Sequence, residues 1–385
     1  MDYQSTVQWL FEHGGPVIRF RVAKEYGDSL PQVDLESLEA DLLKSSIVQF
    51  WLNNFKSFET LADQQKRGEG LGEGGNSSFL HGSTDQNIEV VLPKLGQLGM
   101  HAGMHILEEK INVWLERLEA ELEHDPGKTY ARDDQFLELV YAHYDHRLII
   151  ASSLAQVGCA GHPAVTRVIQ SRVDCIYEVV KEDHFDIYEV PGKTSIHPKG
   201  WGDHLLKSKL YANGRICLPF VHDICNFALV YPSAPTETKQ KIDAIVKWIL
   251  KPKHQDFLYN YGYIRCPDGR GKSVGHKMIF PGYFGLDKPN FDPRPLVFRC
   301  WQMCHFPGSR EHPWFMRSLA HLEQFAHAPG IYAFPSNYLR EAKGRGYWIH
   351  GDRMGLGEDR RRSQWRTIES TFWMLLVNKP PAYTG

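Results

Sequence analysis

Residues 363–379 read SQWRTIESTFWMLLVNK. Ile368, Phe372, Leu375 and Leu376 recur three or four positions apart, the spacing of one helix face. Trp373, Met374 and Val377 fill the other faces, which leaves this helix little surface for water. A helix without a wide charged face is enclosed by other elements. Five more windows read the same way: 16–26, 86–98, 135–157, 217–231 and 294–305. Alternating with them are six amphipathic windows, 4–12, 34–54, 103–122, 163–181, 236–250 and 312–326. Convincing strands are few. The expected fold is all-α, an (α/α)6 toroid or barrel of six helical hairpins, with enclosed helices inside and amphipathic helices outside.

A weak repeat agrees with this pattern. Four outer windows end in an aromatic-aliphatic step, Trp9-Leu10, Trp51-Leu52, Trp114-Leu115 and Trp248-Ile249, at irregular separations that imply inserted loops. Thr84 or Asp85 is expected to cap a helix beginning near Gln86. Gly99 and Gly158 stand where helix C-terminal glycines belong, and Pro163 and Pro313, each after a histidine, open helices.

Length alone suggests about two or three domains, but the hairpin count predicts a single one over 1–385. The formal charge of −2, from 44 basic and 46 acidic side chains, gives no general pull on nucleic acid. No apolar run approaches the ~20 residues that cross a bilayer. The opening MDYQSTVQWLFEHGG lacks a basic segment followed by an apolar one, so a cytoplasmic setting is expected. The seven cysteines are odd in number and form no CxxC pair, and reduced thiols are the expected state.

GGPVIRFRVAKEYGD (14–28), with SQWRTIESTFWMLLVNK at the other end and the Trp-Leu steps between, resembles small members of the terpenoid cyclase/protein prenyltransferase α/α-toroid superfamily. The resemblance implies that the 4–12 helix pairs with the last inner helix to close the ring. It also implies a test of family signatures. The Asp-x-Asp-Asp acid of class II cyclases, the Gln-Trp repeat and the aspartate-rich helices of class I cyclases are all absent. In FVHDICNF, Asp223-x-Cys225 resembles the zinc-ligating step of protein prenyltransferase β-subunits, but Phe298 or Arg299 stands where the expected histidine belongs. Zinc at Asp223 and Cys225 is weighed against a buried acceptor and a packed thiol, and no cofactor is favoured.

In such a ring the segments leaving outer helices emerge on one rim. Here those are the long ones, 55–84, 182–215, 251–293 and 327–363. Loops this long usually cover a site, and these are dense in Tyr, Trp, Phe and His. Inner-helix N-termini open on the same rim and favour electron-rich or anionic groups.

Expected catalytic groups are His143, Tyr144, Asp145 and His146 in AHYDHRL, together with Asp223 and Glu369. Each has a plainer reading, and Glu369 in particular is expected to pair with Arg19 or Arg21. Expected substrate-binding residues are Trp201, His222, Tyr283, Arg299, Trp301, Tyr347, Trp348, His350 and Arg353. The leading expectation is acid-base isomerase, cyclase or lyase chemistry on a hydrophobic, isoprenoid-like small molecule. A carbohydrate-active barrel, either hydrolase or uronate-directed lyase, is the alternative, and a non-catalytic ligand-binding toroid is the third. The phosphate-loop, dinucleotide and Gly-x-Ser-x-Gly fingerprints are missing.

Overall fold

Each of the twelve apolar-periodic windows forms helix in the computed structural model. The structure describes residues 3–31, 33–56, 80–123, 136–190, 204–211, 216–257, 260–265 and 271–379, with backbone alone for 136–145, 265, 271 and 272. The chain is mostly helical, with fifteen α-helices among the described residues. In chain order they are α1 Tyr3–His13, α2 Pro16–Tyr26, α3 Leu35–Lys44, α4 Ser46–Asn54, α5 Ile88–Gln97, α6 His105–Glu123, α7 Phe136–Gln156 and α8 Pro163–Val180. There follow α9 Val221–Val230, α10 Thr236–Ile249, α11 Pro252–Gln255, α12 Leu296–Met303, α13 Pro307–Arg310, α14 Pro313–Glu323 and α15 Trp365–Asn378. Two small antiparallel hairpins sit in the long connections, Gly262–Arg265 with Gly271–Val274 and Ala326–Ala328 with Ile331–Tyr332.

Burial separates the two helix types as their patterns imply. Every α5 position except Gly96 is buried, as are Val221–Leu229 of α9 and Ile368–Val377 of α15. By contrast α6 buries one stripe, Leu107, Ile111, Trp114, Leu118 and Glu121, at alternating steps of four and three. The enclosed helices pack in chain order: α5 on α7, α7 on α9, α9 on α12 and α12 on α15. The chain's ends meet, because α15 also packs on α1, and α1 on α2. Arg21 of α2 reaches both neighbours, donating to the Gln97 carbonyl at 2.9 Å and lying 4.7 Å over the Phe372 ring.

Local chemistry explains the details. At Gly96, α5 and α7 approach so closely that a β-carbon would lie 2.1 Å from the Gln156 carbonyl oxygen. Gly99 (φ +95°) and Gly158 (φ +92°) take the left-handed turns that end α5 and α7. The expected 34–54 helix divides at Ser45, whose backbone is extended (φ −65°, ψ 137°). Ser45-Ser46 favours a break, since serine competes for backbone hydrogen bonds inside a helix and prefers its caps. Asn87, not Thr84 or Asp85, stands at the N-cap of α5; its Oδ1 accepts from the Thr84 N–H, while Asp85 pairs with Arg353.

One expectation is overturned. Cys175 of α8 and Cys217 are joined in a disulfide 42 residues apart in sequence, whereas Cys159, Cys225, Cys300 and Cys304 are free and buried. Such cross-links persist in oxidising compartments, so the expectation of reduced thiols throughout fails at this pair. No described helix is long and apolar enough to cross a membrane.

Beside the disulfide, buried Arg172 grips buried Asp223 through two contacts, Nε to Oδ1 at 2.7 Å and Nη2 to Oδ2 at 2.6 Å. The guanidinium also donates to the carbonyls of Ile216 and Leu218. Arg172→Ala strands a buried carboxylate and is expected to lower the unfolding free energy by about 3–5 kcal/mol, read from urea denaturation midpoints. Cys217→Ser is expected to cost about 2–4 kcal/mol, and alkylation without reductant is expected to leave both sulfurs unmodified.

Candidate functional site

The helices α5 and α9 begin on the same side of the molecule, and each carries an ionisable residue in its first turn, Glu89 and His222. The long connections bring His81, His276, Tyr347 and His350 against them. Glu89 Oε2 lies 3.0 Å from His81 Nδ1 and 3.4 Å from His222 Nε2, and Oε1 accepts the Gly82 N–H at 2.9 Å. His276 is the hub. Its ring centre is 4.9 Å from that of His81, 5.3 Å from His222 and 6.4 Å from His350. Tyr347 closes the circuit, 5.8 Å from His81 and 5.6 Å from His350.

His276 has φ +62°, a left-handed conformation that is costly outside glycine. The surrounding backbone holds it there: its carbonyl accepts the Val221 N–H at 2.8 Å, and Phe220 bridges to Lys277. Residues held in sparsely populated backbone regions cluster at active sites and ligand clamps.

Electrostatics fixes the protonation states. Burial alone would raise the Glu89 carboxyl, but hydrogen bonds from His222 and His81 more than offset it and hold the group at about 2. Glu89 is therefore a carboxylate with 1% of its side chain exposed. Burial, then the neighbouring His222 and His81, depress His276 to about 3. Burial, then Arg299 and the other histidines, depress His350 to about 3 as well. Both rings are neutral imidazoles at pH 7. Arg299 Nη2 lies 3.3 Å from His350 Nδ1; a guanidinium only donates, so Nδ1 accepts and Nε2 carries the proton.

His350, Tyr347 and Arg299 also line a cavity of about 620 Å³. Its opposite wall comes from 277–295, including Lys277, Tyr283 and Phe284. Five cationic side chains (Lys277, Lys288, Arg294, Arg299 and Arg340) face two acids, Asp292 and Asp352. A second cavity of about 730 Å³, against Trp51 and 341–361, carries four acids and four bases. Only the first has a charge imbalance.

The structure distributes the expected residues unevenly. His222, Arg299, Tyr347 and His350 meet at the cluster, and Tyr283 lines the cavity with its hydroxyl donating to the Leu250 carbonyl. Trp348 is buried, its Nε1 donating to Gln97 Oε1 at 2.6 Å, and Trp301 packs between Trp348 and Trp373. Trp348 is core, and Trp301 is partly buried against it. Arg353 is likewise buried, clipping the connection together through the carbonyls of Gly346, Ala342 and Gly344 and through Asp85.

Asp223 is fully engaged by Arg172 and the Phe220 N–H, which fits a structural ion pair rather than a general acid or base. Burial pushes the Cys225 thiol up to about 12, and it receives the Gln302 amide. The pair therefore offers a metal neither a loose carboxylate nor a thiolate, and no group of three or more His, Cys, Asp or Glu among the described residues is placed to hold an ion. Glu369 makes no pair with Arg19 or Arg21. It accepts the N–H groups of Leu356 and Glu358, leaves Oε2 without a partner, and is pushed up by burial to about 7. Trp201 and the side chains of His143, Tyr144 and Asp145 lie outside the described residues, and His146 is half-buried on α7.

Two members, His81 and Glu89, were not read as site residues from sequence, and His276 entered only beside His222 and His305 as a substitute for the missing zinc histidine. Glu89 carried a usable signal, an acid inside an almost wholly apolar window. No family model, curated protein or solved structure matches the chain.

The depressed histidines make a pH prediction. In the unfolded chain they protonate near 6.5, while in the folded protein they stay neutral down to about 3. The unfolded state thus binds more protons between those limits, and stability falls as pH drops through that window. The Cε1–H resonances of His276 and His350 are expected not to titrate between pH 8 and about 5, as followed by proton–carbon correlation NMR. Ordinary midpoints near 6.5 would show solvated rings instead.

Proposed function

We propose that this protein is an acid-base enzyme of the lyase or isomerase type, working on a small molecule held in the cavity beside Tyr347 and His350. The observation that carries the reading is the pairing of two differently prepared imidazoles on either side of Tyr347: His81 tied to a buried carboxylate, and His350 tied to a guanidinium.

The two histidines suit opposite tasks. A His81 tautomer that donates from Nδ1 to Glu89 has Nε2 as its basic nitrogen, and Glu89 stabilises the imidazolium formed when a proton is taken. The His81 side chain is 34% exposed, which gives substrate access. His350, neutral and protonated on Nε2, donates to the substrate oxygen on which negative charge develops; a neutral imidazole does this without first transferring its own proton. His222 and Gly82 hold the Glu89 carboxylate in place. Returning the proton to another carbon gives isomerisation, and loss of a leaving group gives elimination.

The order of helix packing supports a closed ring of six hairpins, with α2, α5, α7, α9, α12 and α15 inside, as in the terpenoid cyclase/prenyltransferase α/α toroids. An isoprenoid-like substrate fits the cavity poorly, given its five cationic side chains. The carbohydrate-lyase alternative fits better, since elimination beside a carboxylate needs a base and a charge-neutralising group. A purely ligand-binding toroid gives no reason for a strained histidine amid clustered titratable rings.

The test is solvent deuterium incorporation. Sugar acids, hydroxy acids and isoprenoid alcohols are incubated with the protein in D2O and followed by mass spectrometry and NMR. Exchange or elimination is expected for at least one acid, reduced about 10²–10⁴-fold by His81→Ala or His350→Ala. Exchange that survives both substitutions overturns the assignment.

A further inference from the structure

Among the cavities, the one beside His350 has a wall whose chemistry selects a ligand. Two of its cations are built in. Lys277 is 2% exposed and donates to the carbonyls of His254, Gln255 and Phe257 at 3.1, 3.3 and 2.6 Å. Burial lowers its ammonium to about 8, still mostly protonated at pH 7. Arg299, also 2% exposed, donates to the carbonyls of Ile279 and Ile349 and to Gln302 Oε1, besides His350. Those acceptors are neutral. They hold both side chains at the wall, where Asp256 adds a negative charge near Lys277.

At the mouth the balance shifts the same way. Arg294 and Arg340 are matched by Asp292 and Asp352, at 2.6 and 3.1 Å. Exposed Lys288 adds to the excess, and among the described residues that line the cavity five cations stand against two acids.

The same wall carries an aromatic shelf. Phe284 is 56% exposed, a large apolar side chain left open to solvent, and stands edge-on to Tyr283 with ring centres 5.0 Å apart. The turn that presents it is specialised: Gly282 has φ +63°, and a β-carbon there would lie 2.3 Å from Leu286. Gly285 has φ +142°. Glycine on both sides of Tyr283-Phe284 lets the backbone fold tightly enough to hold the rings at the cavity wall.

We infer that the cavity binds a small anion carried on a six-membered ring, such as a sugar carboxylate or sugar phosphate, with the ring against Phe284 and Tyr283 and the anionic group directed towards Arg299 and His350. A volume of about 620 Å³ accommodates one or two such rings. The inference names the substrate class for the acid-base site proposed above and rests on that reading for its chemistry, though not for its binding. Carboxylate and phosphate share the charge that the wall selects, and they differ in geometry and valence.

Calorimetric titration at low ionic strength, with glucuronate, glucose 6-phosphate and glucose as probes, separates the cases. At least one anion is expected to bind 10-fold or more tightly than glucose. A glucuronate preference assigns a carboxylate and a glucose 6-phosphate preference a phosphate; either supports the inference. Lys288→Glu, at an exposed position, is expected to weaken the anion about 10-fold without changing the thermal midpoint, and Phe284→Ala to weaken both anions and glucose. His81→Ala is expected to keep anion binding, so failure of the acid-base reading would appear as turnover surviving in that variant. Equal affinity for glucose and both anions, no anion binding to the wild-type protein, or binding insensitive to Lys288→Glu overturns the substrate class.

Discussion

The ion pair between Arg172 and Asp223 sets the geometry on which the rest of the site depends. Both groups are almost wholly buried, so neither can be satisfied by water, and each must find its partner in the protein. Arg172 does so with all three guanidinium nitrogens, taking the carbonyls of Ile216 and Leu218 as well as the carboxylate. That fastens 216–223 to α8, where the Cys175–Cys217 disulfide adds a covalent tie. With the segment fixed, α9 starts in one place, His222 reaches Glu89, and the Val221 N–H meets the His276 carbonyl. The strained His276 conformation is held in turn by that contact. Each link is short in space and long in sequence.

The same rule governs the other polar side chains on the enclosed helices. Lys94, wholly buried on α5, donates to the carbonyls of Arg353 and Gly355 and pairs with Glu341 at 3.1 Å. Arg353 gathers three carbonyls from the connection around it and the carboxylate of Asp85 from before α5. Glu369 takes two backbone N–H groups from the same stretch. Three charged residues on or beside the inner helices thus shape 341–358, which carries Tyr347 and His350. Charged groups in apolar helices here position loops, and the groups to which we assign the chemistry sit on the loops themselves.

This division explains what was legible in the sequence. Helices follow from a period that any short window displays, so all twelve were readable, and the errors were local: a serine break at 45 and a cap displaced to Asn87. Three of the four long connections expected to share a rim do meet, through His81, His276 and His350. What no window displays is a distance between remote positions. His222 was recognised as a site residue, but a motif attached it to Asp223 and Cys225, its neighbours in sequence, whereas its partner Glu89 lies 133 positions away. Asp223 and Glu369 stood out as acids in apolar helices. In the structure Asp223 pairs with Arg172, while Glu369 holds two loop N–H groups and leaves Oε2 without a partner. The disulfide left no trace because its cysteines belong to no spaced motif.

Net charge illustrates how a global sum conceals a local field. The chain is almost neutral, yet one cavity gathers five cations against two acids while the next carries four of each. At separations near 4 Å a charge interacts several times more strongly where the effective dielectric is ~20 than in water. Cations set in a wall beside half-buried imidazoles favour an anion there, whatever the total. They also act on the site itself, because Arg299 helps to keep His350 neutral while its hydrogen bond fixes which nitrogen bears the proton. In the proposed reaction the same guanidinium would both attract the anionic ligand and hold the adjacent imidazole ready to donate, coupling recognition to chemistry through a single side chain.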